Sequence, residues 1–128
     1  MTVLGDRWSL LIVRDLVFKG KSHYREFASS PERISTNILA NRLARLGEDG
    51  ILTKSRDPDN ASSYVYRLTE KGKALVPVLL EMTAWSATYD PQPAADDSLI
   101  DGAPPRLLDR LASDREALIQ DIVGGIPD

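Results

Sequence analysis

The sequence predicts a mainly α-helical fold that carries one small β-hairpin and a C-terminal helical extension. Three observations support this fold class. Apolar residues recur at helical spacing in several segments, two short β-rich runs flank a turn-forming stretch, and a stretch rich in proline, alanine and aspartate precedes the last helices. We therefore expect a main unit over residues 1–89, and an acidic linker with a C-terminal helical extension over residues 90–128.

Charge divides the chain in a similar way. The whole chain has a net charge of -3, but residues 1–73 hold 13 basic and 9 acidic side chains, whereas residues 74–128 hold 3 and 10. Binding to a polyanion depends on the contacting face rather than on the total charge, because each neutralised phosphate releases counterions. The first part of the chain therefore suits a nucleic acid as a partner.

The first predicted helix covers residues 6–19 and is apolar around most of its circumference, with Gly20 as a stop signal. Such a helix must be covered on more than one side, which favours a second subunit beside the chain's own core. A fourth helix, capped by Thr69 and running to about Tyr89, also carries apolar residues at helical spacing, and Pro77 should kink or divide it. The residues expected at a homodimer interface are Trp8, Leu11, Ile12, Leu79, Met82 and Trp85.

Between these helices the sequence predicts a helix, a short turn and another helix. The short helix covers residues 24–29 and ends before Pro31, and the next runs from an N-cap at Ser35 to about Asp49. Side chains and free N–H groups at the start of the short helix could hold phosphate. The candidates for this contact are Lys21, Ser22, His23, Tyr24 and Arg25.

The third helix has a leucine stripe, formed by Leu39, Leu43 and Leu46, that should face the body of the domain. The opposite face is short, amide-bearing and basic at its start, and acidic only at its end. Asparagine can pair bidentately with adenine and arginine with guanine, so this face could contact bases in a DNA groove. The candidates are Thr36, Asn37, Asn41, Arg42 and Arg45.

Two runs, residues 51–56 and 63–68, predict a hairpin with residues 57–62 as its turn. Its tip could reach the DNA backbone or minor groove, although Asp57 and Asp59 oppose such a contact. The candidates are Lys54, Arg56, Asn60, Ser62 and Ser63.

In the extension, Pro104 and Pro105 suit a helix start, and a capping box of Ser113 with Glu116 predicts a final helix that stops at the glycine pair 124–125.

This order of elements is that of a winged helix-turn-helix, and three stretches resemble one family of bacterial regulators. Residues 4–16 (LGDRWSLLIVRDL) are similar to the first helix of the HxlR family, and residues 34–46 (ISTNILANRLARL) to its recognition helix. Residues 66–72 (YRLTEKG), followed by Leu75, Pro77 and Trp85, are similar to the end of its wing and its last helix. The resemblance implies a homodimer built from terminal helices that binds double-stranded DNA, with a pseudo-palindromic operator near a promoter.

Other functions fit the residues less well. The single histidine, His23, has no matching ligand or nucleophile pattern, and Asp96, Asp97 and Asp101 look like solvated charge, so we expect no enzyme activity, metal or cofactor. No apolar run suits a membrane span, and we expect a cytoplasmic protein. Many members of the family sense oxidants through a cysteine near the first helix; this sequence has none, so any small-molecule effector is expected to bind reversibly. A winged helix used as a protein–protein interaction module is the alternative.

Overall fold

The computed structural model describes residues 6–29, 33–89 and 106–126, which form seven helices and one two-stranded antiparallel sheet. This confirms the predicted fold class. The elements are α1 (Arg7–Phe18), α2 (Tyr24–Ala28), α3 (Thr36–Glu48), β1 (Leu52–Asp57), β2 (Asn60–Leu68), α4 (Glu70–Lys73), α5 (Val76–Tyr89), α6 (Leu107–Ser113) and α7 (Arg115–Gly124). No helix in these ranges is long and apolar enough to cross a membrane.

Helices α1 and α3 begin where short polar side chains cap them. The Asp6 carboxylate accepts hydrogen bonds from the Ser9 backbone N–H at 3.3 Å and from the Ser9 hydroxyl at 2.7 Å. The Ser35 hydroxyl oxygen accepts from the Ile38 N–H at 3.2 Å, as the sequence predicts. Because these caps define the start of α1 and of α3, the helix-turn-helix lies within a residue or two of the predicted bounds.

The hairpin is longer and tighter than predicted. Leu52 pairs with Leu68 at its base and Arg56 with Tyr64 near its tip, and a register irregularity follows Arg56. Residues 57–62 were expected to form the turn, but the second strand already begins at Asn60. The Asp57 carboxylate accepts from the Asp59 N–H at 2.9 Å, and this local turn reverses the chain within two residues.

The long helix predicted after Thr69 is divided, as Pro77 indicates. α4 and α5 are separate helices, and Pro77 is the second residue of α5, where its missing N–H leaves no hydrogen bond unmade. Gly72 in α4 packs directly on the backbone of the hairpin's base: a Cβ at this position would lie 2.2 Å from the Ile51 carbonyl oxygen. The glycine therefore fixes the end of the hairpin against α4.

The C-terminal helices fold back onto the same hydrophobic core as the winged domain. Leu107, Leu111, Leu118 and Ile126 are buried in that core, and the Arg115 guanidinium forms an ion pair with Glu81 of α5. The extension is therefore an integral part of this chain's packing.

The cap of α7 differs from the prediction. Asp114, rather than Ser113, accepts from the Ala117 N–H at 3.1 Å, while the Ser113 hydroxyl donates to the Arg110 carbonyl oxygen. Aspartate is as good an N-cap residue as serine, so the helix begins one residue later than predicted. The predicted linker and the helix start at Pro104 and Pro105 lie outside the described residues.

Candidate nucleic-acid interface

The third helix presents two chemically distinct faces. Leu39, Leu43 and Leu46 are at most 3% exposed and pack into the core. On the opposite side Thr36, Asn37 and Asn41 are exposed and Arg45 is half-buried. Ala40 and Ala44 are also exposed on this face and leave room for a close approach by a partner, whereas the exposed Glu48 makes its C-terminal end acidic.

Arg42 occupies a different environment from the other candidates. Its guanidinium contacts the Asp6 carboxylate at 2.5 Å and donates to the Asn41 side-chain oxygen at 2.6 Å. Burial of Asp6 opposes ionisation, but hydrogen bonds from Ser9 and the adjacent Arg42 lower the pKa of Asp6 overall. Arg42 thus ties α3 to the start of α1 and orients Asn41, which keeps its amide N–H groups and a second oxygen lone pair for another partner.

Among the candidate phosphate contacts, Lys21 and Tyr24 bond to groups on other elements. The Lys21 ammonium lies 3.1 Å from the Asp15 carboxylate and is only 14% exposed, so this placement does not match its expected role at the surface. The Tyr24 hydroxyl donates to the Thr36 carbonyl oxygen at 3.3 Å and joins α2 to α3. Neither partner could be inferred from sequence spacing. Arg25, in contrast, is exposed.

His23 precedes α2 and is surrounded by polar groups. Its Nε2 lies 3.0 Å from Asp57 Oδ2 on the hairpin, and its Nδ1 lies 3.1 Å from Glu26 Oε1 and 3.0 Å from the Ser22 hydroxyl. Hydrogen bonds from the ring to Asp57 and then to Glu26 raise the pKa of His23. The Asp57 carboxylate was expected to repel DNA from the wing tip. It is hydrogen-bonded to His23 within the chain instead.

The two strands form a basic wing, and its aromatic residue Tyr64 was not among the predicted candidates. The Lys54 ammonium lies 4.2 Å from the centre of the Tyr64 ring, and the Arg56 guanidinium lies 5.3 Å from it. The Asn60 side-chain oxygen accepts from the Ser62 N–H and hydroxyl at 3.1 and 2.7 Å. The pairing of Arg56 with Tyr64 across the strands is the signal that could have identified the tyrosine.

A cleft of about 660 Å³ separates α3 from the wing. Ala40 and Ala44 form one wall, Lys54 and Tyr64 the other, and Arg25 lies at the α2 side. Candidates from α2 and the wing therefore border one concave surface, to which α3 contributes its alanines rather than its candidate base contacts. Within the described ranges, no group of three or more histidine, aspartate or glutamate side chains is arranged to hold a metal ion.

The candidate interface residues on α1 and α5 are only partly accessible. Leu11, Ile12 and Leu79 are at most 4% exposed, because the chain's own packing covers them. Trp8 and Met82 are half-buried, whereas Trp85 is 61% exposed. Because the three aliphatic residues are already buried, no second subunit is needed to cover them, which corrects the expectation. Of the six candidate interface residues, the two tryptophans and Met82 remain accessible.

Comparison with known proteins assigns the chain and its fold to one family. The model of the HxlR-like helix-turn-helix family matches residues 3–94, which include α1–α5. The chain belongs to the HxlR-like helix-turn-helix family. This confirms the resemblance seen in the sequence.

Individual proteins similar to this chain support the assignment. The HTH-type transcriptional regulator YodB of Bacillus subtilis is 36% identical over 88 residues, which are 69% of this chain and 78% of YodB. The reduced form of YodB has a TM-score of 0.56, with 30% identity, over 73% of this chain and 90% of that one. The crystal structure of PA1607 has a TM-score of 0.65 and 41% identity over 73% of this chain, which spans 63% of the PA1607 chain. The family and its named relatives are transcription regulators rather than enzymes.

Proposed function

We propose that this protein is a homodimeric, sequence-specific DNA-binding regulator of transcription that acts as a repressor. The observation that supports this most strongly is the outward face of α3, which carries exposed Asn37 and Asn41 and half-buried Arg45. The alanines of α3 line a cleft next to a basic wing. A helix with such a face fits the major groove of B-DNA, where each base pair presents a distinct pattern of donors and acceptors.

Base recognition is assigned to the exposed asparagines and to Arg45. Asn37 and Asn41 lie one helical turn apart and can each pair with an adenine, while Arg45, one turn further, can pair with a guanine. Arg42 acts by holding Asn41 in place, because its own charge is already paired with Asp6. Sequence preference therefore arises mainly from three side chains in each subunit.

Phosphate contacts are assigned to the exposed cations around the cleft. Arg25 lies at its α2 side, and Lys54 and Arg56 project from β1, next to Tyr64. A phosphate strand that follows the cleft would meet these cations while α3 occupies the groove. Such contacts set the position of the protein on the duplex and make its affinity dependent on salt.

The proposed dimer uses the exposed stripe of α5. Val78, Trp85 and Tyr89 are 38%, 61% and 71% exposed, and the two aromatic rings lie 5.6 Å apart. With Met82 they recur at helical spacing, as a helix–helix interface requires. A twofold dimer would read a pseudo-palindromic operator, and a dimer bound over a promoter would block transcription in the cytoplasm, where bacterial DNA lies.

The test is a titration of labelled duplexes, selected from a random library, at several salt concentrations. We expect affinity to fall steeply with salt, and Lys54→Ala to reduce the slope of log affinity against log salt by about 1. Arg106→Ala is the matched control, because it removes an exposed charge from the C-terminal extension. Binding that is insensitive to salt, or equal slopes for the two variants, would contradict the proposal and favour a protein–protein module.

A further inference from the structure

The side chains of His23, Glu26 and Asp57, called the His23 cluster below, join α2 to the tip of the wing. Asp57 lies 34 residues away from His23 in sequence, and its carboxylate is 3.0 Å from the imidazole Nε2. Glu26 lies on the other side, 3.1 Å from Nδ1. The ring is 28% exposed, so it is open to solvent protons while both of its nitrogens have partners.

The geometry of the His23 cluster favours one protonation state. Ionised carboxylates only accept hydrogen bonds, and both ring nitrogens face one, so both nitrogens donate only if the ring is an imidazolium. A neutral ring has a single N–H and leaves one nitrogen lone pair facing a carboxylate oxygen. The Ser22 hydroxyl, 3.0 Å from Nδ1, can donate to that lone pair but leaves Glu26 without the ring as a donor.

The two carboxylates act in the same direction. Besides raising the pKa of His23, the cluster lowers the pKa of Asp57, first through the Asp59 N–H and then through the ring. Burial raises the pKa of Glu26, but hydrogen bonds from the N–H groups of residues 22 and 23 and from the ring lower it overall. The nearby cations are Arg25 on α2 and Lys54 on β1, and the tyrosines that line the same cleft are Tyr24, Tyr64 and Tyr66.

The contacts between α2 and the hairpin are distributed unevenly. Midway along β2, the Tyr66 N–H donates to the Ser22 carbonyl oxygen at 2.7 Å, and His23 forms an isolated antiparallel bridge with Val65. These backbone contacts do not involve a titratable group. At the tip, the contact between α2 and the wing is the side-chain pair of His23 with Asp57, which is next to Arg56.

We propose that His23 and Asp57 are positioning residues that fix the wing tip against α2 when the imidazole is protonated, and so make DNA binding by this regulator dependent on pH. The inference rests on the proposed function. It assigns to this histidine a role different from direct phosphate contact. When the ring loses its second proton, it can donate to only one of the two carboxylates. The wing tip, with Lys54 and Arg56, can then move away from the cleft.

The sign of the response follows from the two pKa shifts. Because the pKa of His23 is raised, the stabilisation of the wing tip is complete at low pH and is lost as pH rises through that raised value. Because the pKa of Asp57 is lowered, the pair also breaks in strong acid. We therefore expect DNA affinity to decline as pH rises through the raised pKa of His23, by about two- to five-fold, the range that partly exposed ion pairs show.

Two measurements on the whole protein test the inference. The chain has one histidine, so its imidazole gives a single NMR titration curve without assignment. We expect its pKa to lie above 6.5, the ordinary value, and to fall in Asp57→Asn. Nitrogen-15 relaxation of the wing-tip amides should show increased motion above the same pKa, and this readout requires no DNA.

The second measurement is duplex affinity against pH at constant ionic strength. Asp59→Asn is the matched control for Asp57→Asn, because both remove one carboxylate from the wing tip but only Asp57 contacts His23. We expect the pH response to persist in Asp59→Asn, to disappear in Asp57→Asn, and to be replaced by high affinity at all pH values in His23→Arg, which carries a permanent cation.

The outcomes separate the inference from the proposed function. Wild type that binds no duplex at any pH contradicts the proposed function, and the NMR data alone then decide whether the His23 cluster positions the wing. Duplex binding with no pH response, or with equal responses in Asp57→Asn and Asp59→Asn, overturns the inference and leaves the regulator assignment intact. Wing-tip motion that is independent of pH also overturns it.

Discussion

Replacing Gly72 by alanine should destabilise the domain more than any ordinary glycine substitution. The added Cβ would lie 2.2 Å from the Ile51 carbonyl oxygen and 2.8 Å from Leu68 Cδ2. The Ile51 oxygen belongs to the chain backbone and also accepts from the Thr69 N–H at 3.0 Å, so it cannot yield without disturbing the base of the hairpin.

The magnitude follows from these contacts. Nonbonded heavy atoms normally approach to about 3.5 Å, so the backbone must move by roughly 1 Å. Overpacking of this kind costs about 1–3 kcal/mol, and a weakened hydrogen bond adds about 1 kcal/mol. We expect a loss of about 3 kcal/mol in the free energy of unfolding, which for a domain of this size corresponds to a decrease in Tm on the order of 10 °C.

Thermal and urea unfolding at equal protein concentration measure the effect. Gly124→Ala is the matched control: it lies at the end of α7 with no atom within 4 Å of an added Cβ, and should change stability by no more than about 1 kcal/mol. Equal stability of the two variants, or a Gly72→Ala protein as stable as wild type, would refute the close packing of α4 on the hairpin.

Three further predictions concern burial and assembly. Asp15→Asn should cost about 3 kcal/mol in urea unfolding, because Arg14 is fully buried beside it with a guanidinium nitrogen 2.6 Å from the carboxylate; a loss below 1 kcal/mol would contradict this. Leu118→Ala should cost about 2–5 kcal/mol, whereas the exposed Leu108→Ala should cost far less, and similar losses would show that the extension does not share the core. Trp85→Arg should shift sedimentation from dimer to monomer without unfolding the chain, since the side chain is 61% exposed; an unchanged sedimentation coefficient would remove α5 from the interface.

Local signals account for the elements that could be predicted from the sequence. Ser35, the leucine stripe of α3 and Pro77 each act within a few residues, through a cap, helical periodicity and a missing N–H, and all three have the predicted effect in the structure. The hairpin tip and the cap of α7 were misplaced by one to three residues. There, the Asp57 carboxylate accepts from the Asp59 N–H and the Asp114 carboxylate from the Ala117 N–H, and these local bonds set where the turn and the helix begin.

The contacts that define the site depend on pairs distant in sequence. Asp57 lies 34 residues from His23, and Asp6 lies 36 residues from Arg42, so no periodicity could reveal either ion pair. The faces of α3 were predictable because helical geometry alone sets them. The internal roles of Arg42, Lys21 and His23 were not, because they depend on how α1, α2 and the wing pack together.

The central claim is that the exposed face of α3 recognises bases. Selection of duplexes from a random library, followed by sequencing, measures the preference at each operator position for wild type and for Asn41→Ala. We expect the variant to lose about five-fold or more discrimination at one position in each symmetry-related half-site, with the spacing unchanged. An identical preference profile for the two proteins, or a profile without twofold symmetry, would contradict the claim.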